Sequence, residues 1–235
     1  MTRLLRIRDV DVEFGGVKAL DGVSVDVTAG HVHGLIGPNG SGKSTLMDVA
    51  GGFLRPARGT VELAGRRVER RPAHRRARDG IGRTFQGLEL FDDLSVAENL
   101  SVGLVGGARP ARADVEWAAG LLGVADELDR LVVELPHGRR RLVSVARAIA
   151  GRPRVLLLDE PAAGLETGET AELGRALREI VAPETAILLV EHDMQLVMGV
   201  CDRVTVLQLG GVIAEGSPAE IRTDPRVRAA YLGEG

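Results

Sequence analysis

Lysine is almost missing from this chain. Of its 30 basic residues only Lys18 and Lys43 are lysines, and the rest are arginine. An ammonium group at either place therefore departs from the chain's habit. Cysteine is scarcer still, because Cys201 stands alone among 235 residues. A single thiol excludes an internal disulfide and fits a reducing compartment, with a buried apolar position its expected place. Charge of one sign is also lacking: the formal net charge is -3 and the pI about 6.0. That is no basis for the strong field that non-specific nucleic-acid binding requires. No apolar run approaches the roughly 18 residues that cross a bilayer, and Met1-Thr2-Arg3 leads into strand-like sequence rather than a signal peptide. A cytoplasmic globular chain is expected. No repeat and no low-complexity tract is visible.

What is present is 44% hydrophobic residues, enough for one sizeable core. The first third carries short alternations, Val10 to Phe14, Val23 to Val27 and Thr60 to Leu63, punctuated by glycine, which predict a mostly antiparallel β layer. Two later runs, Val155 to Leu158 and Ala186 to Val190, are continuously apolar, as strands covered on both faces are. Between about 88 and 150 the β signals fade and helical patterns appear at Val115 to Leu122 and Arg139 to Ala150. The expected fold is α/β: a parallel core with an antiparallel β layer and an inserted helical subdomain. The whole chain 1–235 is expected to be one domain, with residues 1–87 and 151–235 as the core and 88–150 as the insert. The arginine-rich Arg66 to Arg78, with Pro72 inside it, reads as a solvated turn and short helix.

Gly37-Pro38-Asn39-Gly40-Ser41-Gly42-Lys43-Ser44 fits G-x-x-x-x-G-K-[ST], after the strand-like Val32 to Ile36 and before the helical Thr45-Leu46-Met47-Asp48. Glycines let the backbone curl so that the N–H groups of Asn39 through Thr45 point inward, and the following helix adds positive potential. Lys43 supplies a compact charge to the β- and γ-phosphates, and Ser44 a hydroxyl for magnesium. A plain Gly-rich turn ahead of a helix is the structural alternative, but it has no need of a lysine.

The run Val155 to Leu158 ends in Asp159-Glu160, where open α/β sheets place ligand chemistry. Asp159 suits a magnesium ion, and Glu160, one step further out, suits the water that attacks the γ-phosphate. A salt-bridged strand end would look similar. Val190-Glu191-His192-Asp193 repeats the arrangement, and the imidazole of His192 could reach the γ-phosphate; taken alone it would more often be structural. Gln86, beyond the strand-like Ile81 to Phe85, could bring an amide oxygen to magnesium from a mobile loop.

These elements in this order, with Leu135-Pro136-His137-Gly138 before Asp159-Glu160, resemble the nucleotide-binding domain of ABC transporters over essentially the whole chain, which implies that the α/β core is a P-loop NTPase (RecA-like) core. The resemblance implies that Phe14 stacks on adenine, that Gln86 is the Q-loop glutamine, that Leu135 to Arg139 is the signature and that His192 is the switch histidine. Without it Phe14 would be a core aromatic. Pro161 to Leu165, Glu191 to Gly199 and the ending Ala230 to Glu234 look like ATP-binding subunits of branched-chain amino-acid importers. ATP and Mg2+ are then the implied cofactors. The implied partners are a second ATPase subunit, two membrane permeases and, indirectly, an extracytoplasmic substrate-binding protein, with no nucleic acid. The implied place is the inner face of the cell membrane.

Two positions depart from the general ABC pattern. The usual Leu-Ser-Gly-Gly-Gln stands here as Leu135-Pro136-His137-Gly138-Arg139, and Glu166 replaces the aspartate expected after Gly164-Leu165. Both lie where two such domains would meet. The rival readings are an ABC-type ATPase acting on nucleic acid or ribosomes, which would carry coiled coils, tandem domains or basic tails, and a small-molecule kinase sharing only the phosphate loop.

Overall fold

The alternations of the first third pair as expected in the computed structural model, which describes residues 2–103, 110–181 and 184–232. Of the C-terminal motif, Gly233 and Glu234 lie outside the described residues. Strands β1 (Arg3–Phe14) and β2 (Val17–Thr28) form an antiparallel hairpin. Its inward residues Leu5, Ile7, Val23, Val25 and Val27 are buried, and charged neighbours face outward.

β3 (Val32–Ile36) crosses into a second sheet and runs into helix α1 (Lys43–Gly51). The chain then returns to the first sheet through β4 (Arg58–Leu63) and the short β5 (Arg66–Arg67), giving the order β2-β1-β4-β5. Helix α2 (Ala73–Arg78) closes the arginine-rich segment. That segment is not solvated throughout. Arg76 is 1% exposed and donates to the carbonyls of Val49, Ala50 and Arg71, so it holds the C-terminal end of α1. Burial lowers its pKa to about 10.

After β6 (Ile81–Arg83) come helices α3 (Val96–Ser101), α4 (Arg112–Leu121) and α5 (His137–Ala150). Then follow β7 (Val155–Asp159), α6 (Thr167–Ile180), β8 (Ala186–Val190), α7 (Met194–Val200), the hairpin β9 (Arg203–Gln208) and β10 (Gly211–Gly216), and α8 (Pro218–Thr223) and α9 (Pro225–Leu232). The second sheet has the order β10-β9-β3-β8-β7-β6. β3, β6, β7, β8 and β9 run parallel, and β10 turns back against β9.

Every residue of β3, β7 and β8 is buried, because both faces of this sheet are covered. The faces alternate. Leu156, Leu158, Ile187 and Leu189 join the core shared with Leu100, Ala118, Leu142, Ile149 and Leu177 of the helices. Val155, Leu157, Leu188 and Val190 face the antiparallel layer and Leu46 and Met47 of α1. Each such Leu or Val contributes about 1.5–3 kcal/mol when fully buried. Cys201 is buried as expected, and burial pushes its thiol up to about 12.

Candidate functional site

Because β3, β7 and β8 are parallel neighbours, the loops at their carboxyl ends meet on one edge of the sheet. That edge carries the phosphate loop after β3, Asp159-Glu160 after β7 and Glu191-His192 after β8.

The loop from Gly37 to Gly42 has a shape that only glycine allows at its ends. Gly37 has φ 149° and Gly42 φ 106°. A Cβ on Gly37 would stand 2.1 Å from the Leu207 carbonyl oxygen, and one on Gly42 would stand 2.6 Å from that of Ala19. Lys43 is 6% exposed, and its ammonium donates to the carbonyls of Gly37 at 2.7 Å and Pro38 at 3.0 Å, drawing the loop around itself. The Ser41 hydroxyl is buried with no hydrogen-bond partner among the described residues. Asn39, Gly40 and Ser44 are exposed and Thr45 half-buried at the start of α1. An orphaned hydroxyl, a lysine-curled loop and a helix N-terminus without an acid in its first turn make a cradle that fits polyphosphate.

Asp159 is 5% exposed at the tip of β7. Its N–H donates to the Thr84 hydroxyl at 3.1 Å, and the Thr84 N–H donates to the Leu157 carbonyl at 2.9 Å, so the strand end is tied to the chain beyond β6. Burial raises the Asp159 pKa, opposed first by the charge of Arg83 and also by that of Lys43. A carboxylate that desolvation disfavours is suited to a cation. Among the described residues no group of three or more His, Cys, Asp and Glu forms a metal cluster. Ser44 and Asp159 instead offer a hydroxyl and a carboxylate, the sparse donor set of a magnesium ion that keeps phosphate and water ligands.

Glu160 follows with φ 48°, a left-handed backbone that costs a non-glycine residue of the order of 1–3 kcal/mol. Its N–H donates to the Val190 carbonyl at 2.9 Å, and the Nε2–H of His192 donates to its Oε1 at 2.8 Å. The carboxylate is therefore aimed by the neighbouring strand's histidine while both side chains stay partly open, at 24% and 46%. Glu191 is the buried support. Its carboxylate accepts the N–H groups of Ala162 at 2.7 Å, His192 at 3.0 Å and Asp193 at 3.3 Å, while burial raises its pKa.

Other expected site residues lie apart from this cluster. Phe14 is at the hairpin end and 54% exposed, an open position for a ring and not a core one. Gln86 is exposed beyond β6, and its side chain makes no hydrogen bond among the described residues. Leu135 is buried, Pro136 and His137 are exposed and Gly138 is half-buried at the start of α5, with Pro136 as N-cap at φ -55°. A Cβ on Gly164 would stand 3.0 Å from the His137 ring, and one on Gly138 would stand 2.9 Å from Oε2 of Glu169, so this turn packs on the segment after Asp159-Glu160. Arg139 does not project outward. It is held by the Glu127 carboxylate and the Gly123 carbonyl.

Sequence reasoning missed Thr84, Glu191 and Arg141. Arg141 is 5% exposed and reaches the carbonyls of Phe85 and Gln86 from α5. Its only sequence signal is a third arginine in Arg139-Arg140-Arg141 immediately before an apolar run.

A glycine loop between a buried parallel strand and a helix, with strand-terminal carboxylates beside it, defines a P-loop nucleotide hydrolase. The family described as ABC transporter is matched over residues 20–163, and one described as branched-chain amino acid ATP-binding cassette transporter over residues 212–235. The chain belongs to the ABC transporter family, as an ATP-binding and ATP-hydrolysing cassette. It is 40% identical to the high-affinity branched-chain amino acid transport ATP-binding protein LivG of Salmonella typhimurium over 98% of both chains. It is 36% identical to BraF of Pseudomonas aeruginosa, of the same description, again over 98% of both. A nucleotide-free ATP-binding cassette from an ABC transporter superposes with TM-score 0.89 at 30% identity, covering 97% of this chain and 98% of that one. The ADP conformation of the cassette MJ1267 gives 0.87 at 31% identity, covering 99% and 100%.

Proposed function

We propose that this chain is the ATPase subunit of an importer of amino acids, of the branched-chain class. The observation that supports the substrate class most directly is the end-to-end likeness to branched-chain transport ATP-binding proteins, joined by the match over residues 212–235. Bound ATP with magnesium supplies the phosphoanhydride whose hydrolysis powers the cycle.

The residues then divide the work. Phe14 offers its exposed ring to the base. The backbone of Asn39, Gly40, Ser41, Gly42 and Thr45 and the ammonium of Lys43 hold the phosphates. Ser44, Asp159 and Gln86 are the magnesium donors, with Gln86 arriving from its loop. Glu160 accepts the proton of the attacking water. His192 holds Glu160 in place through its Nε2–H, and that same N–H, once released from the carboxylate, is the donor available to the developing charge on the γ-phosphate. Leu135, Pro136, His137 and Gly138 serve the nucleotide of a second ATPase subunit facing this one. Residues 88–150 act as the helical subdomain, and with the loop after Gln86 they pass closure to two permease subunits. Among the described residues no helix is long and apolar enough to cross a membrane. In this reading the permeases carry the solute path and hold this chain at the inner membrane face. An extracytoplasmic binding protein delivers the solute.

The test is uptake. In vesicles holding the complete transporter, labelled leucine, isoleucine and valine should accumulate only when ATP is present on the side of this chain. ATP-dependent uptake of a different solute class, with none of these three, would overturn the substrate assignment.

A further inference from the structure

Three arginines of α5 turn toward one stretch of irregular chain. Residues 84–94, between β6 and α3, form neither strand nor helix. The carbonyls of Phe85, Gln86, Leu88 and Glu89 receive no backbone N–H among the described residues. They are met by guanidinium groups. Arg141 Nη1 donates to Gln86 O at 3.2 Å and Phe85 O at 3.4 Å. Arg147 donates to Glu89 O at 2.5 Å through Nη1 and to Leu88 O at 3.3 Å through Nη2. Arg140 adds an ion pair with Asp92.

A packing role does not explain this. Arg141 is almost fully buried, and so are Leu142, Val143 and Val145 beside it on the same helix; a buried guanidinium is costly where an apolar side chain would do. Burial indeed lowers its pKa, while the charges of Glu160, Glu191 and Asp159 pull the other way. What the guanidinium supplies is donors at the far end of a long side chain for two successive carbonyls, both met by Nη1 in Arg141 and by Nη1 and Nη2 separately in Arg147. The same helix begins at the signature turn, with His137 four residues before Arg141.

We propose that Arg141 and Arg147 are positioning residues that clamp the Gln86 loop to the signature helix, so that loop and signature move as one body against the strand core. The backbone on either side of the Gln86 side chain is then held by the two guanidinium groups of α5. The clamp rests on the roles assigned above to Gln86 and the signature.

The experiment compares wild type with Arg141→Met, Arg141→Lys and Arg147→Lys in the complete transporter. Three quantities are read: amide exchange over residues 86–92 without nucleotide, ATP affinity by calorimetry, and the kcat and KM of phosphate release. Loss of donors to the loop should speed exchange there and lower kcat by roughly ten- to a hundredfold, with ATP affinity changed by less than about threefold. Arg141→Lys, keeping one donor and the charge, should fall between wild type and Arg141→Met. Unchanged exchange and kcat in a folded Arg141→Met protein would overturn the proposal, as would a fall in kcat matched by an equal loss of ATP affinity. If Arg141→Met does not fold, the lysine variants are judged by the same three readings. None of these depends on the solute carried. A wild type that released no phosphate would refute the functional reading while leaving the exchange comparison to decide the clamp.

Discussion

Lys43 shapes the loop it serves. Its ammonium already binds the carbonyls of Gly37 and Pro38, so its removal loosens the curl as well as subtracting a charge. Lys43→Ala should abolish tight ATP binding. Lys43→Arg should fail too, because a planar fork does not fit where a point charge closes a tight turn. Calorimetry decides, and near-normal affinity in Lys43→Ala would remove the lysine from its assigned place. Lys43, Ser44, Asp159, Glu160 and His192 could be located in the sequence because each sits at a fixed offset from a glycine pattern or an apolar strand. Thr84 and Arg141 could not. Thr84 bonds Asp159, 75 positions away, and Arg141 bonds Gln86, 55 positions away, and no local pattern encodes such partners. Arg139 illustrates the converse, since a residue expected to face a neighbouring nucleotide is taken up by Glu127.

At the scale of elements, the apolar runs identified buried strands because the parallel sheet is covered on both faces. Helical patterns expected at Val115 to Leu122 and Arg139 to Ala150 correspond to α4 and α5, which begin three and two residues earlier and end within one residue of the expected place. The sheet order was not legible, because β3 lies between β8 and β9, and pairings such as Val32 with Ile187 and His33 with Arg203 join distant segments that local periodicity does not encode. Strand β3 also carries a pH dependence. His33 is 2% exposed, its Nε2 is hydrogen-bonded to the Thr205 hydroxyl at 2.8 Å, and burial lowers its pKa to about 4. A base whose folded pKa is depressed takes up its proton more readily when unfolded, so its contribution is full above pH 6.5 and is lost as pH falls toward 4. The slope approaches about 1.4 kcal/mol per pH unit, or roughly 2 kcal/mol between pH 6.5 and 5. His33→Gln keeps a hydrogen-bonding group for Thr205 and should remove this loss. Urea unfolding at pH 7 and pH 5 checks it, and an equal acid loss in wild type and variant would assign the dependence elsewhere.

For the whole molecule, the departures from the usual signature bear on how two cassettes would share the work. Pro136 caps α5 without a hydroxyl or an N–H, and Arg139 is engaged internally, so this chain offers fewer donors to a nucleotide held by its partner. Each missing donor to a charged group corresponds to about 1.5–3 kcal/mol. The site proposed above for its own nucleotide, from Lys43, Asp159, Glu160 and His192, departs from the family pattern at none of these four residues. The chain is therefore expected to work beside a different ATPase with a fuller signature, and the productive site is expected to be the one its own catalytic residues serve. The decisive measurement places the Glu-to-Gln change in one ATPase subunit at a time within the assembled transporter and records ATP binding, phosphate release and uptake. Glu160→Gln in this chain should leave ATP bound while phosphate release and uptake fall by roughly 10²–10⁴-fold, and the same change in the partner should cost less. Normal phosphate release and uptake with Glu160→Gln would contradict the account at its centre, and equal loss from either subunit would contradict the asymmetry.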